Sequence, residues 1–331
     1  MTEFRTELTP VASASPISLK DRIFTIGSCF ADAMGSHLHN NKFRVWNNCF
    51  GSVYNPISIH RTLLMVLENK SPDSGYLQHD GVHLNYHFHS SFSAWSRQEL
   101  ESKVRGAIAE ANQVLRNANR IIITYGTSYV YRLATSGEIV ANCHKAPGAN
   151  FTKSLLTETE VVQSFKEFYE ALKGINSTCK IILTISPVRH LKDTLELNAV
   201  SKSILRLACH SIVNRFADVE YFPAYEILLD DLRDYRFYKT DRLHPTDEAT
   251  EYIWEKFTKS SLDESSKKFI SDWKVISKDL AHKPFHSQSE NHQKFLQSLL
   301  KKIETLQSQA DVSAEIQHLK SQIANSKWLI S

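Results

Sequence analysis

Three residues far apart in the chain have the side-chain types of a nucleophile, a base and an orienting acid. They are Ser28, His244 and Asp241. A serine hydroxyl is a weak nucleophile unless an imidazole accepts its proton and a carboxylate orients that imidazole. Asp241 and His244 are three residues apart, so both side chains can converge on one short loop. The pattern predicts a catalytic triad in which Ser28 is the nucleophile, His244 the base and Asp241 the orienting acid.

The triad requires elements that bring its members together, and Ser28 lies between two of them. The run from Arg22 to Ile26 is apolar and β-branched, which is typical of a short buried strand. The next ten residues have helical spacing, with Ala31, Met34 and Leu38 on one side. We therefore expect Ser28 on a tight strand-to-helix turn that Gly27 permits. There the hydroxyl lies at the carboxyl end of a parallel strand, and the helix N-terminus favours developing negative charge.

Asp241 and His244 lie at the other end of an alternating pattern of strands and helices. Thr246 is a plausible N-cap for the helix that follows them and ends near Phe257. Strands are predicted at 43–46, 120–125, 180–186 and 219–222, and helices at 57–67, 100–115, 161–172, 195–216 and 224–232. This alternation predicts an α/β fold with a parallel sheet. No strand is followed by a glycine-rich nucleotide fingerprint, so no NAD, ATP or other cofactor is predicted.

Several motifs resemble those of the GSCFA-domain family, a branch of the SGNH/GDSL-like hydrolases. The first is Gly27-Ser-Cys-Phe-Ala31, which carries the name of the family. Others follow in the expected order, at 50–56, 89–92, 125–127, 140–145, 186–192 and 241–245. The resemblance implies a three-layer flavodoxin-like fold and a serine-dependent esterase or O-acyltransferase. It places Ser28, Asp241 and His244 at the triad positions, and it suggests acyl or acetyl esters of sugars, lipids or small molecules as substrates.

The resemblance also implies an oxyanion hole. A glycine of the second conserved block matches Gly51, which either donates its amide, together with the amide of Ser28, or only permits a turn. Asn55 is either a second donor or a turn residue before Pro56. In the third block the superfamily has an asparagine where this chain has Ser128. The hydroxyls of Thr127 or Ser128 could replace it, or Asn142 could reach in from the hairpin 129–143; these alternatives stay open.

Further polar residues are candidates for substrate binding. His144 follows the hairpin, and Arg189 and His190 lie in the loop after the strand 180–186. Arg189 either orients an anionic substrate or braces a carboxylate of the scaffold. An extended insertion at 71–97 is expected to shape the pocket, with His89 nearest the chemistry.

Two alternatives concern the reactive groups themselves. Cys29, where the turn becomes a helix, could replace Ser28 as the nucleophile. A metal hydrolase could instead use His79, His83, His87 and His89, of which His87 and His89 are expected to share one face of a strand. No carboxylate or cysteine completes a ligand set at convincing spacing, so no metal is predicted.

The bulk composition limits the remaining choices. The 331 residues include 42% hydrophobic and 23% charged residues, and the net charge is only +3. A charge this small gives no reason to expect a nucleic-acid partner. The five cysteines are widely spaced, and no secretory leader or membrane span is apparent, which favours reduced thiols and a cytoplasmic location. We expect a GSCFA domain at 1–260 and a helical C-terminal extension at 261–331.

The extension has an apolar stripe with heptad-like spacing that includes Leu299, Ile303 and Leu306. Packing within the chain is the default expectation, and a homo-oligomer through these helices is the alternative. A non-catalytic binding module that keeps the fold is the alternative to an enzyme, because the third block departs from the family pattern.

Overall fold

The computed structural model describes residues 6–282, 284–285 and 289–327, and the ends of the predicted arm and tail lie outside them. The strands of the described residues are β1 (Arg22–Gly27), β2 (Arg44–Asn47), β3 (Tyr76–His79), β4 (Val82–Asn85), β5 (Arg120–Tyr125), β6 (Tyr129–Leu133), β7 (Ile139–Val140), β8 (Phe151–Leu155), β9 (Lys180–Ile185) and β10 (Val219–Phe222). The helices are α1 (Cys29–Asn40), α2 (Pro56–Glu68), α3 (Arg97–Arg116), α4 (Glu158–Ile175), α5 (Thr194–Arg215), α6 (Ala224–Glu226), α7 (Asp247–Ser261), α8 (Glu264–Leu280), α9 (Glu290–Glu304) and α10 (Ser313–Lys327).

Five strands form the main sheet in the order β10-β9-β5-β1-β2. Strands β1, β5, β9 and β10 run parallel, and the register pairs Gly27 with Thr124 and Thr124 with Thr184. Taken in chain order, the five strands have the arrangement 2-1-3-4-5, which is the flavodoxin-like order. The direction of the order reverses between β1 and β5. In such sheets ligands bind outside the carboxyl ends of the strands at this reversal.

Strand β5 shows that both faces of the sheet are covered. All six of its residues are buried, although successive side chains point to opposite faces. The apolar cluster around it includes Leu63 of α2, Ile108 of α3, Phe168 of α4 and Leu205 of α5. The prediction of a layered α/β fold on a parallel sheet is therefore confirmed.

Two small antiparallel sheets accompany the main sheet. Strands β3 and β4 form a hairpin, and β6 pairs with β7 on one side and β8 on the other. The prediction that His87 and His89 share one face of a strand was wrong, because the strand ends at Asn85 and both histidines lie in the turns and loop that follow. The side chain of Asn85 starts these turns by accepting the N–H of His87.

Helix α6 continues as a π-helix over Ile227–Leu232. The sequence predicts one regular helix there, and the structure differs in the hydrogen-bond period of its second half.

The chain forms two compact units. The larger comprises residues up to 11, 22–37 and 45–257, and it contains the main sheet. The smaller comprises residues 12–21, 38–44 and the chain from 258 onward. The predicted boundary at residue 260 stays a prediction.

The smaller unit is held together by its own contacts. Ser266 accepts the N–H of Leu19 at 2.8 Å, and the buried indole of Trp273 donates to the Asn40 carbonyl at 2.8 Å. The apolar stripe of α9 and α10 is buried within this unit, including Leu299, Ile303 and Leu319. No helix of the described residues is both long and apolar enough to cross a bilayer.

Candidate active site

The turn after β1 is fixed by hydrogen bonds to the neighbouring strand. Gly27 has φ +142°, and a Cβ there would lie 2.1 Å from the carbonyl oxygen of Thr124. Its N–H donates to the side chain of Asn48, and the next N–H, that of Ser28, donates to the Thr124 carbonyl at 3.1 Å. Only glycine fits this close approach, so β1 can end in a sharp turn beside β5.

Ser28 is the predicted nucleophile, and it faces inward. The residue is 1% exposed, and its hydroxyl accepts the N–H of Phe30 at 3.3 Å. Its carbonyl accepts the N–H of Ala31 at 2.7 Å, so Ser28 acts as the cap of the first turn of α1. Both the N–H and the hydroxyl of Ser28 therefore take part in holding the turn.

Cys29, the first residue of α1, is half-buried and lines a cavity. Burial and the nearby carboxylate of Asp32 raise the pKa of its thiol. The N–H groups of Cys29 and Phe30 and the ammonium of Lys202 act in the opposite direction but do not outweigh the burial. The thiol is consequently protonated at neutral pH, and it needs a base before it can act as a nucleophile.

Asp241 and His244 are in contact, as predicted from their spacing. One carboxylate oxygen of Asp241 accepts the N–H groups of Leu243 and His244 at 2.8 and 3.0 Å, while the other lies 2.7 Å from Nδ1 of His244. These bonds lower the pKa of the Asp241 carboxyl to about 2. Because a carboxylate only accepts, Nδ1 of His244 must carry the proton, and Nε2 of the neutral ring keeps the basic lone pair.

His244 and Cys29 line the same cavity, which has a volume of about 490 Å³. The cavity lies at the carboxyl ends of the main-sheet strands, next to the reversal between β1 and β5. The segments that follow β1, β2, β5 and β9 supply part of its wall, including Cys29, Tyr54, Thr127 and Arg189, and the loop before α7 adds His244. Its volume is in the range usual for small-molecule sites. The backbone joins two of these turns, because Arg189 donates its N–H to the carbonyl of Leu243 at 3.2 Å.

The two backbone groups predicted to stabilise an oxyanion already have acceptors. The N–H of Ser28 is bonded to Thr124, and the N–H of Gly51 donates to the Asn48 carbonyl at 2.8 Å. Gly51 has φ +72°, and a Cβ there would lie 2.7 Å from His89, so the turn explains this glycine. In this structure neither amide is free to bind an oxyanion.

Asn55 lies on the cavity and also caps α2. Its side-chain oxygen accepts the N–H of Ser58 at 2.8 Å, and its side-chain nitrogen donates one hydrogen to the Ser58 hydroxyl at 3.0 Å. The nitrogen carries a second hydrogen that neither bond uses. The predicted turn role is therefore present, and the amide retains a donor for a ligand.

The candidates for replacing the third-block asparagine are placed differently from one another. Thr127 and Asn142 line the cavity, and the Thr127 hydroxyl is 3.0 Å from that of Ser201. Asn142 donates to the Ser90 hydroxyl at 3.3 Å. Ser128 is fully buried, and its hydroxyl donates to the carbonyl of Ser201 at 3.1 Å, which turns it into the protein. Thr127 and Asn142 thus lie on the cavity, whereas Ser128 is absent from its described lining. The Thr127 hydroxyl also accepts the N–H of Tyr129 at 3.1 Å.

His89 and His144, also predicted as site residues, are absent from the described lining of the cavity. His89 bonds locally to Ser91, at 3.2 Å. His144 is buried, with Nε2 2.8 Å from the carbonyl of Asn85, and burial lowers its pKa. Both histidines support the turns around Ser90.

Arg189 and His190 line the cavity, as expected for the loop after β9. The guanidinium of Arg189 lies 3.9 Å from the ring centre of Tyr238, and the imidazole of His190 meets Tyr54 edge-on at 5.6 Å. Burial is the main cause that lowers the pKa of His190 to about 4, so this ring is neutral at neutral pH. Its Nε2 atom is buried without a hydrogen-bond partner among the described residues.

Sequence reasoning missed Lys202 of α5. Its side chain is 1% exposed, and its ammonium donates to the carbonyls of Gly126 and Ser186, each at 2.7 Å. These carbonyls lie just beyond the ends of β5 and β9, so the lysine ties the two strand ends together. Burial lowers its pKa to about 7, and a negative charge on the Cys29 sulfur would oppose that shift. Its position in the helical run 195–216 did not indicate a role at the site, because only the fold shows that this face of the helix covers the ends of the strands.

No group of three or more His, Cys, Asp or Glu side chains in the described part of the chain is arranged to hold a metal ion. His87 of the histidine-rich insertion instead contacts Arg61 and Glu138.

Comparison with known proteins identifies the family. The sequence model of the GSCFA family matches residues 22–257, and that of the GSCFA domain protein C-terminal domain matches residues 273–325. The chain therefore belongs to the GSCFA family. No curated protein matches it.

Among solved structures, it is similar to a carbohydrate esterase family 2 enzyme with a carbohydrate binding domain from Corynascus thermopiles (Myceliophthora fergusii). The identity is 12% and the TM-score 0.39, over 78% of this chain and 69% of that one. It is also similar to an acetyl xylan esterase from the rumen bacterium Butyrivibrio proteoclasticus, with 11% identity and a TM-score of 0.38 over 75% and 64%. For a Clostridium thermocellum family 3 carbohydrate esterase the values are 12% and 0.32 over 78% and 98%. Likenesses of this size carry no argument about the chemistry of this chain.

Proposed function

We propose that the protein is an esterase or O-acyltransferase that forms an acyl-enzyme at the turn after β1. The observation that carries the proposal is the bond of 2.7 Å between Asp241 and His244, on the wall of a cavity that this turn also lines. The nucleophile comes from one of two neighbouring side chains, the Ser28 hydroxyl predicted from the sequence or the Cys29 thiol.

The arrangement supports general-base catalysis. Nε2 of His244 removes the proton of the nucleophile as it attacks the ester carbonyl, and Asp241 stabilises the imidazolium. The imidazolium then protonates the leaving alcohol. Water or an acceptor alcohol completes the cycle, with His244 acting again as the base. The helix N-terminus of α1 and the side chain of Asn55 are donors that can face the oxyanion.

The charge of the cavity wall favours a substrate with a negative group. The described lining contains the cations Lys153, Arg189 and Lys192 and no carboxylate. Tyr129 and Tyr131 form an aromatic part of the wall beside Lys153, whose ammonium lies 4.3 Å from the Tyr129 ring centre. Flat aromatic surfaces of this kind accept the apolar side of a sugar ring or an acyl chain. We therefore place anionic acyl esters of sugars, lipids or small molecules first among candidate substrates.

Turnover of short acyl esters by the full chain tests the proposal. A panel of p-nitrophenyl esters, neutral and carboxylated, is compared in the wild type and in His244→Gln. We expect turnover in the wild type and a loss of about 10³-fold or more without the imidazole. His210→Gln is the matched control, since His210 lies exposed on α5 and bonds to Asn214. Equal rates in the wild type and His244→Gln would contradict the proposal.

A non-catalytic binding module is the second candidate. The observation that favours it is that the N–H groups of Ser28 and Gly51 are both bonded to carbonyls, so the predicted oxyanion hole is closed. This candidate predicts no turnover of any ester in the panel. It also predicts saturable binding of carboxylated acyl compounds, measured by calorimetry, that His244→Gln leaves intact.

A further inference from the structure

We propose that Cys29 is the nucleophile of this site and that Ser28 is the residue that fixes the turn in place. This inference rests on the proposed function, and it changes the chemistry of the intermediate from an oxygen ester to a thioester. Three observations about neighbouring residues carry it.

The first observation is that the N–H, the hydroxyl and the carbonyl of Ser28 each already have a hydrogen-bond partner. Its N–H donates to the carbonyl of Thr124, its hydroxyl accepts the N–H of Phe30, and its carbonyl accepts that of Ala31. The residue is also closed to solvent. For Ser28 to attack a substrate in the cavity, the cap of α1 would have to break while the strand–helix turn remained intact.

The second observation is that the described lining of the cavity includes Cys29 but not Ser28. Cys29 lines the cavity together with Asn55, Thr127 and His244, while Ser28 is absent from the described lining. The thiol and the imidazole that would deprotonate it therefore meet the same ligand. The thiol belongs to a wall that already contains an oriented base, so the assignment does not depend on the cysteine alone.

The third observation concerns the stabilisation of charge around the thiol. Cys29 is the first residue of α1, and an N–H in the first turn of a helix has no acceptor within the helix. The N–H of Cys29 acts on the sulfur, as does the N–H of Phe30, which also donates to the Ser28 hydroxyl, and the buried ammonium of Lys202 acts on it through space. A thiolate or an oxyanion next to Cys29 thus meets two N–H donors and one cation, which the carboxylate of Asp32 opposes. The N–H of Ser28, one residue earlier, is instead bonded to the carbonyl of Thr124.

The reaction balances with water as the only other reactant. The Cys29 sulfur bonds to the ester carbonyl carbon while its proton passes to Nε2 of His244. The carbon–oxygen bond to the alcohol then breaks, and His244 returns the proton to the leaving alkoxide. Water attacks the thioester with His244 as the base, the carbon–sulfur bond breaks, and the sulfur recovers its proton. An acceptor alcohol in place of water yields a new ester.

Alkylation kinetics test the inference without requiring turnover. The full chain is treated with iodoacetamide at neutral pH, and the modification of each cysteine is followed by peptide mass spectrometry. Cys143 is the internal control, because it lines the same cavity and is also partly exposed. We expect Cys29 to react at least tenfold faster than Cys143, and His244→Gln to abolish that difference. Equal rates for Cys29 and Cys143 in the wild type, or a difference that His244→Gln leaves unchanged, would overturn the assignment.

Ester turnover then separates the two neighbouring residues. We expect Cys29→Ala to lose about 10⁴-fold in kcat. Ser28→Ala should lose no more than about tenfold, since it removes one hydrogen-bond acceptor. Brief mixing with p-nitrophenyl acetate followed by acid quenching should leave an acetyl group on the peptide of Cys29. If Ser28→Ala is inactive but folded by circular dichroism, or if the acetyl group is on Ser28, the assignment is wrong while the proposed esterase stands. If the wild type turns over no ester of the panel, the proposed function fails, and the alkylation result alone decides whether Cys29 is activated.

Discussion

The variant Asp241→Asn keeps the imidazole of His244 but removes the carboxylate that orients it. The asparagine oxygen can keep both N–H bonds, from Leu243 at 2.8 Å and His244 at 3.0 Å, so the loop should stay folded. The other position, now an NH₂ group, faces Nδ1 of His244, where the carboxylate oxygen lay at 2.7 Å. Because an NH₂ group only donates, Nδ1 must become an acceptor and Nε2 must carry the proton. The ring then presents no lone pair to the nucleophile.

The expected loss follows from how exposed the pair is. Where a triad carboxylate is buried, the same change costs about 10⁴-fold in kcat. The side chains of Asp241 and His244 are 44% and 45% exposed, so water can compete for Nδ1 and restore part of the active tautomer. We therefore expect a loss of roughly 10²- to 10³-fold in kcat with little change in KM.

The assay for this prediction is ester turnover, with Asp234→Asn as the matched control. Asp234 also accepts a backbone N–H, from Arg236 at 2.8 Å, but holds no histidine. The control should keep wild-type kcat. A loss of less than threefold in Asp241→Asn, with circular dichroism unchanged, would refute the assignment of His244 as the base.

Three further predictions address the scaffold and the cavity. Gly27→Ala should destabilise the protein by roughly 3 kcal/mol or more in urea denaturation, because its Cβ would meet Thr124. The control Gly174→Ala in α4 places a Cβ with nothing within 4 Å and should be neutral or stabilising, so equal unfolding midpoints for the two variants would contradict the account of the turn. Lys202→Met should remove a pH dependence of the free energy of unfolding. The unfolded lysine stays protonated to about pH 10.4 and the folded one only to about 7, so wild-type stability should rise with pH between these values, by up to about 1.4 kcal/mol per pH unit. The same rise in the variant would refute the lowered pKa of Lys202. Arg189→Gln should lower kcat/KM for a carboxylated ester about tenfold more than for the neutral ester of equal length, and equal losses for both esters would remove the anionic preference.

The sequence was sufficient to predict features whose contacts lie within a few residues along the chain. The loop of Asp241 and His244 makes its bonds within three residues, so spacing alone predicts their contact. Strand β5 has the predicted bounds, 120–125, because a continuous β-branched run has few other uses in an α/β chain. The family motifs and the parallel sheet were also predicted correctly.

Features that depend on distant partners could not be predicted. Strand β8 has the sequence Phe-Thr-Lys-Ser-Leu, which shows no clear apolar alternation, and it forms through pairing with β6. The burial of Ser128 depends on Ser201 of α5, more than seventy residues along the chain. The direction of Ser28 depends on Thr124 in the adjacent strand. A turn can be recognised from its own residues, but which of two successive side chains enters a cavity is decided by the strand against which the turn packs.

The raised pKa of Cys29 determines the type of catalysis that such a thiol can perform. A cysteine with a lowered pKa forms a thiolate–imidazolium pair before substrate arrives, and its alkylation rate levels off in acid. Burial and Asp32 keep the Cys29 thiol neutral here, although Lys202 and two N–H groups partly compensate. In the proposed mechanism, attack is then coupled to proton transfer to His244, the tautomer of which is fixed by Asp241. The positive groups would act mainly on the negative charge that develops as the ester is attacked. In the proposed mechanism they would stabilise the transition state more than the resting thiol, which is the condition for a gain in rate.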